Sequence, residues 1–371
     1  SVRDLAIQKR ENDLVAATFG RSFYILDDYS PLRAITEENL AKGDQLFPIE
    51  KALQYVQERG GTSSQGASFY TAKNPTYGAQ FTYYISDDAK TMKAVRTASE
   101  KKLKKDKKDI PFPGWEALDA EDFEKKPQAI LRVTDASGKV LTEITGAYTK
   151  GIHRKHWDLR ERLASALDIY SSRDSGTGLR SDVAPGTYYV QLFKKHNGAL
   201  LQLTPKEAFE VARLRQNVLT NPKAASHNAY KAKLNALYVK SEIMDKKLEK
   251  TKKKIAALSK AIGFAQTDQD LLHKTVYDLQ KQHYNLARTI DGSEAKGEVG
   301  EKDTPTLSFR ISVASRGFYS NTYGPTAMHM ESYDIAVALL NELAPQVDAL
   351  AAATAKAISD SGALGLPVII D

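Results

Sequence analysis

The sequence predicts a multidomain α+β protein. Short antiparallel strands open the chain, an immunoglobulin-like β-sandwich follows, and an antiparallel three-helix bundle closes it. Three observations predict this order. Residues 1–33 hold three short apolar runs, DLAIQ, DLVAATF and SFYILDD, parted by the polar breaks Lys9–Asn12 and Gly20–Arg21. Six strand-like segments with turn residues between them lie between residues 78 and 213. From Leu234 onward, apolar residues recur at a three-then-four spacing.

The first stretch reads as a meander of strands. Such a meander hides too little apolar surface to stand alone. It therefore packs onto something downstream, or it is the tail of a sheet whose other strands lie before Ser1. Residues 34–66 read as a linker with a short helix, PIEKALQYVQE. Pro48 suits the first turn of that helix and Gly60 its end. A Gly-Gly-Thr-Ser-Ser-Gln-Gly break follows.

Residues 67–214 read as the β-sandwich with two insertions. Its strands are GAQFTYYIS, QAILRVTD, VLTEITG, IHRKHWDL, GTYYVQLFK and EAFEVAR. In the second of these, Ile130, Arg132 and Thr134 alternate with Leu131 and Val133. Asp135-Ala136-Ser137-Gly138 is a turn, and Pro185-Gly186 sets a bend before another strand. Asp87–Lys126 is a Lys-rich insertion, helical at its start. Glu161–Asp182 is a second insertion, mostly loop. Long insertions often carry function, but they are also where drift costs least.

Residues 215–371 read as the helical bundle. Leu237, Ser241, Met244, Leu248, Thr251, Ile255, Leu258 and Ile262 continue the seam from Leu234 along a helix that Gly263 ends. Asp268 opens the next helix, with Leu272, Val276, Leu279, His283, Leu286 and Ile290 on one face and Asp291-Gly292 at its end. Ile335, Leu339, Leu343, Val347 and Leu350 face inward on the third, which Pro345 kinks. Ser293–Gly324 reads as irregular.

Composition narrows the function classes. The 371 residues include no cysteine, which excludes disulfides, thiolate metal sites and a cysteine nucleophile. No apolar run approaches the roughly 18 residues of a membrane span, so no membrane-spanning helix is expected. Residues 1–20 lack the pattern of a signal peptide. The net charge of +7 is concentrated in two lysine-rich runs, Lys90–Lys108 and Lys223–Lys260. The expected role of such runs is a solvated helix face. Nucleic acid is not an expected partner, because these runs are lysine and not arginine interleaved with aromatics.

Chemical motifs are sparse. His153 and His156 lie three apart on a strand, so they point to opposite faces and make a poor metal pair. His156 beside Trp157 reads as packing or surface, His283 as a seam residue, and His329 has no second ligand in register. Asp27 and Asp28 are neighbours on a strand and cannot face each other across a substrate, as a glycosidase pair must. They read as the end of a strand, with Arg21 as a bidentate partner. Ser172-Arg173-Asp174-Ser175-Gly176 fits part of an Asp-box, with Leu179 where an aromatic belongs. That match reads as chance, with a calcium-binding turn as the alternative. No catalytic, cofactor-binding or metal residue is assigned.

One family resemblance runs through the chain. DLVAATFGRSFYILDD followed by Ser30-Pro31-Leu32 resembles the last blade of the large secreted β-propellers related to sortilin, often labelled glycosyl hydrolases in bacteria. Phe112-Pro113-Gly114-Trp115-Glu116, Trp157-Asp158-Leu159-Arg160 and Ala184-Pro185-Gly186-Thr187-Tyr188 are similar to that family's sandwich. GPTAMHMESYDIAVALLNELAPQVDAL resembles its final helix. The resemblance implies that residues 1–33 are terminal β-propeller blade strands and that the chain is the C-terminal portion of a longer protein. It also implies a secreted, periplasmic or cell-surface location, with the upstream propeller as partner and a glycan or protein as further partner. Three functions remain in view. One is a non-catalytic structural and interaction module. Another is part of a glycoside hydrolase whose catalytic residues lie before Ser1. The third is a polyanion-binding module working through the lysine runs. A family label at fold level does not establish activity.

Overall fold

The computed structural model describes residues 1–55, 74–163, 180–215, 224–264, 270–319 and 324–363, with 366, 367 and 369. It is mixed α+β and divides into two compact units. One comprises Ser1–Glu161 with Asp182–Gln216, the other Arg162–Ser181 with Asn217–Asp371.

The first unit opens with β1 (Val2–Gln8), β2 (Asp13–Thr18) and β3 (Phe23–Leu26), an antiparallel meander. Asn12 at φ +54° and Gly20 at φ +78° lie at its two reversals, where the chain enters the left-handed region. Two short helices follow, α1 (Ser30–Arg33) and α2 (Glu37–Leu40), the second capped by Thr36. The helix expected from Pro48 onward does not form over residues 48–55. Instead β5 (Ala52–Gln54) adds in parallel to a sheet, after the short β4 (Gln45–Leu46). Tertiary pairing overrides local propensity here. Ala52 is buried, Gln54 Nε2 donates to the Val183 carbonyl, and Leu214 N–H donates to the Gln54 carbonyl.

Two further sheets enclose the core of this unit. The smaller orders β4-β6-β9, with β6 at Ala79–Ile85 and β9 at Gly151–Trp157. The larger is built on β5-β14-β12-β7-β8, with β13 beside β12. Its strands are β7 (Gln128–Asp135), β8 (Val140–Ala147), β12 (Gly186–His196), β13 (Ala199–Gln202) and β14 (Glu207–Arg213). Among the described residues, strands β10 (Arg160–Arg162) and β11 (Arg180–Asp182) form a separate two-stranded sheet. Alternation sets the core. Phe81, Tyr83 and Ile85 of β6 meet Leu131 and Val133 of β7, Val190 and Leu192 of β12, and Phe209 of β14. Trp157 and Leu159 lie in the same core, and Pro185 bends the chain into β12. The Asp135 turn behaves as its sequence predicts. Asp135 Oδ1 accepts from Ser137 N–H and Oγ and from Lys139 N–H, and Gly138 takes φ +86°. The first insertion forms α3 (Met92–Lys105) and α4 (Trp115–Phe123). Residues 164–179 of the second insertion lie outside the described residues, so the Asp-box match and Asp174 do too.

In the second unit, α5 (Ala224–Ile262) is 39 residues, so about 58 Å long. Every seam position from Leu234 to Ile262 is buried. Helix α6 (Asp270–Asp291) buries Leu272, Val276, Leu279, Leu286 and Ile290, and Gly292 at φ +104° closes it. Asp268, expected to open it, lies outside the described residues. The stretch expected to be irregular contains two helices, α7 (Glu294–Glu298) and α8 (Leu307–Tyr319). Leu307 and Ile311 join the helical core, and Thr306 Oγ1 accepts from Phe309 N–H at the start of α8. Helix α9 (Ala327–Ala363) runs through Pro345. Its buried stripe centres on Ala336, Leu340, Leu343, Val347 and Leu350, so Ile335 and Leu339 sit at its half-buried margin. By length and composition α9 could cross a membrane, although no uninterrupted apolar run in the sequence predicts a span. That stripe, however, packs with α5, α6 and α8 into one apolar core.

Candidate functional site

Carboxylates gather where the meander meets the smaller sheet. The pairing of Gln80 with His156 and of Thr82 with Arg154 puts these four side chains on one face of the β6–β9 pair. That face is opposite the one through which Phe81 and Trp157 enter the core. Arg154 donates from Nη1 to the Asp27 carbonyl at 2.8 Å and from Nη2 to the Asp28 carbonyl at 2.6 Å. The arginine serving this segment is therefore Arg154, and it grips the backbone and not a carboxylate. Asp28, at φ +43°, donates its N–H to Asp13 Oδ1 and accepts the Ser30 N–H and hydroxyl at its own Oδ1. Asn12 Nδ2 donates to Glu50 Oε1, and the Tyr29 N–H donates to the Asn12 carbonyl.

The electrostatics follow from this crowding. Partial burial, then Asp13, push the Asp27 carboxyl above its ordinary range, against the pull of Arg154 and His156. Burial raises Glu50 too; the Asn12 bond opposes this, while Asp28, Glu11 and Asp13 add to it. His156 is lowered by burial and by Arg154, and its Nε2 lies 3.0 Å from Gln80 Oε1. Gln80 Nε2 and Thr82 Oγ1 on the same face are buried without a hydrogen-bond partner.

A retaining or inverting glycosidase needs an acid of raised pKa and a second carboxylate across a sugar-sized gap. Asp27 and Glu50 supply raised acids. Their neighbours, however, are committed to structure: Asp13 and Asp28 hold a tight turn, and Arg154 gives one N–H from each terminal nitrogen to a backbone carbonyl. The arrangement acts chemically as a clamp that fastens the end of β3 to the smaller sheet.

The second unit carries a cleft of about 840 Å³ lined by Lys252, Gln280, His283, Tyr284, Arg288 and Asp291 among others. Burial and then Lys252 lower His283, while a bond to the Leu248 carbonyl opposes them. Asp291 accepts from the Ser308 hydroxyl at 2.7 Å. Two of the cleft's polar groups are thus tied to its walls. The remaining sequence candidates stay apart. His153 stacks on Tyr83 and its Nε2 lies 2.6 Å from the Thr149 carbonyl, so it does not meet His156. His329 Nδ1 accepts from the Thr326 N–H at the start of α9. Among the described residues, no group of three or more His, Asp or Glu is placed to hold a metal.

Sequence reasoning missed Glu50 and Arg154. Glu50 sat inside a presumed helix. Arg154 sits among Lys155, His153 and His156 in the strand IHRKHWDL, and no local pattern marks it as the partner of a turn far away in sequence. No protein-family model, curated protein or solved structure matches the chain.

Proposed function

We propose that this chain is a non-catalytic structural and interaction module of a secreted, sortilin-like propeller protein, with residues 1–33 as strands of a terminal blade. On this reading the two sheets around Trp157 are an immunoglobulin-like sandwich, and α5, α6 and α9 form an antiparallel three-helix bundle to which α8 is added.

The observation that carries the reading is the two-faced meander. Register places Leu5, Ile7, Leu14, Tyr24 and Leu26 on one side, and Ala6, Val15, Phe23 and Ile25 on the other. Leu5, Ile7, Phe23, Tyr24, Ile25 and Leu26 are all exposed. A sheet that is apolar on both faces belongs between two other layers, and stacked propeller blades supply such layers. The Arg154 clamp would then carry the blade's exit onto the sandwich.

The test replaces Phe23 and Ile25 together by serine and measures binding of an apolar fluorescent dye alongside urea unfolding. Dye binding should fall while the unfolding midpoint stays within error. A midpoint lowered as much as by a core substitution would show that the meander is a self-sufficient core, and the reading would fail. The hydrolase alternative is tested by turnover of aryl-glycosides and polysaccharides. Activity abolished by Asp27→Asn or Glu50→Gln would replace the non-catalytic reading.

A further inference from the structure

The insertion between β6 and β7 has a design that neither sheet requires. Helices α3 and α4 contribute no residue to the core of the unit; Leu103 and Leu118 are half-buried, and the Glu121 side chain is covered by Arg96. Arg96 holds them together, with Nε and Nη2 on the two Glu121 oxygens at 2.7 and 2.8 Å and Nη1 on Glu100 at 2.6 Å. Ties at one end anchor the hairpin. Met92 N–H donates to Glu124 Oε2, His196 Nε2 lies 3.2 Å from Glu124 Oε1, and Lys125 N–H donates to Asn197 Oδ1. The other end, where α3 gives way to α4, lies about 20 Å along the helix from those ties.

That far end has a distinct composition. Lys101, Lys102, Lys104, Lys105, Lys107 and Lys108 share this stretch with Asp106 and Asp109, while Glu100 before them is paired with Arg96 and Glu116 follows Trp115. Ile110, Phe112 and Trp115 follow directly, and all three are exposed. Trp115 is 74% exposed although its ring meets Phe112 edge-to-face at 5.1 Å. Pro111 and Pro113 stiffen the stretch, and Gly114 at φ +91° turns the chain into α4. A face built only for solvation needs the lysines but not the rings. Tryptophan and phenylalanine beside a lysine cluster match an anionic bilayer surface, where rings lodge at headgroup depth and ammonium groups reach the phosphates.

We infer that the α3–α4 hairpin is a docking arm for an anionic phospholipid surface, with Ile110, Phe112 and Trp115 entering the headgroup region and the lysines between 101 and 108 supplying the attraction. The cluster contains lysine and no arginine, which suits diffuse attraction to many headgroups better than bidentate reading of one phosphate. The rings pack on each other and do not present a flat platform for stacked bases. This inference does not depend on the propeller reading.

The experiment uses the whole chain with vesicles of phosphatidylglycerol and phosphatidylcholine, against vesicles of phosphatidylcholine alone. Sedimentation should show binding only to the anionic vesicles, weakened by salt. The chain has two tryptophans, and Trp157 is already buried, so a blue shift in emission on binding reports Trp115. Trp115→Ala should weaken vesicle binding about tenfold with an unchanged melting temperature. Lys104→Glu combined with Lys105→Glu and Lys107→Glu should weaken it about a hundredfold. Three results would overturn the inference. The first is no binding to anionic vesicles. The second is vesicle binding that Trp115→Ala leaves intact. The third is equally tight binding to heparin or DNA that also ignores Trp115, which would make the arm a general polyanion site.

Discussion

Replacing Trp157 by alanine tests the core between the two sheets at its largest member. Trp157 is 2% exposed, and its ring meets Tyr188 at 5.6 Å and Phe209 at 5.9 Å, both edge-on. Its Nε1 donates to the Arg160 carbonyl at 2.9 Å. Deleting a buried aromatic side chain costs about 3–5 kcal/mol, a range that already contains the lost ring contacts. The Arg160 carbonyl belongs to an exposed residue, so losing its donor adds about 0.5–1 kcal/mol at most. The expected loss is about 4 kcal/mol, a large share of the roughly 5–15 kcal/mol that holds a domain together. Trp157→Phe keeps a ring and loses the N–H, so about 1–2 kcal/mol is expected. Urea unfolding should be followed by near-ultraviolet circular dichroism, because the aromatics of the β core dominate there. The transition of the sheet unit should shift to lower urea with its slope unchanged, and the helical unit's transition should stay in place. An unchanged midpoint of the sheet transition in Trp157→Ala would refute the burial and the packing argument together.

Three other substitutions probe different terms. Gly78 has φ +115°, and a Cβ there would sit 1.8 Å from the Trp157 carbonyl oxygen, so Gly78→Ala should prevent the sheet unit from reaching its folded circular dichroism spectrum. Arg154→Ala removes both bonds to the Asp27 and Asp28 carbonyls; the amides of Asp28 and Tyr29 should exchange with deuterium about tenfold faster while global stability falls by about 1–2 kcal/mol. Asp245 lies on an exposed position of α5, yet desolvation and then Asp291 push it up to about 6, a shift that its contact with solvent makes smaller in effect. An acid raised in the folded state contributes stability that is complete below about pH 4 and lost as the pH rises through 6. Solvent reaches this side chain and screens the effect, so Asp245→Asn should stabilise the helical unit by only about 1 kcal/mol at pH 7 and by nothing at pH 3.5. A gain that persists at pH 3.5 would mean that the charge is not its cause.

Periodic segments were legible and isolated contacts were not. The seam from Leu234 to Ile262 could be read because a helix of that length repeats its burial rule many times, and even Ser241 and Thr251 obey it. The strand Gln128–Asp135 could be read because its run of β-branched and aliphatic residues is bounded by turn signals. Ile130 and Thr134 are buried along with Leu131 and Val133, so that only Arg132 marks an alternation. Helix α8 escaped because its buried stripe, Leu307, Ile311 and Ala314, is interleaved with Phe309 and Val313 off that face, which blurs the helical period. Strand β5 escaped because its reason for existing is the open edge of β14, far away in sequence. Arg154 escaped for the same cause, since its partners Asp27 and Asp28 precede it by more than a hundred residues.

The same contrast bears on where function resides. A catalytic centre needs groups left free to change their partners during reaction. At the meander's end the opposite holds: Asp13, Asp28, Asn12 and Arg154 each close a bond that fixes backbone. Beside them, Gln80 Nε2 and Thr82 Oγ1 are buried without a partner. Exposed apolar groups are uncommitted in another sense. They are the apolar residues on both faces of β1–β3 and the rings at the tip of the α3–α4 hairpin. Exposed aliphatic and aromatic side chains do no proton chemistry, but they gain free energy when covered. On the readings proposed above, these exposed side chains are contact surfaces, the meander for neighbouring sheets and the hairpin tip for an anionic boundary.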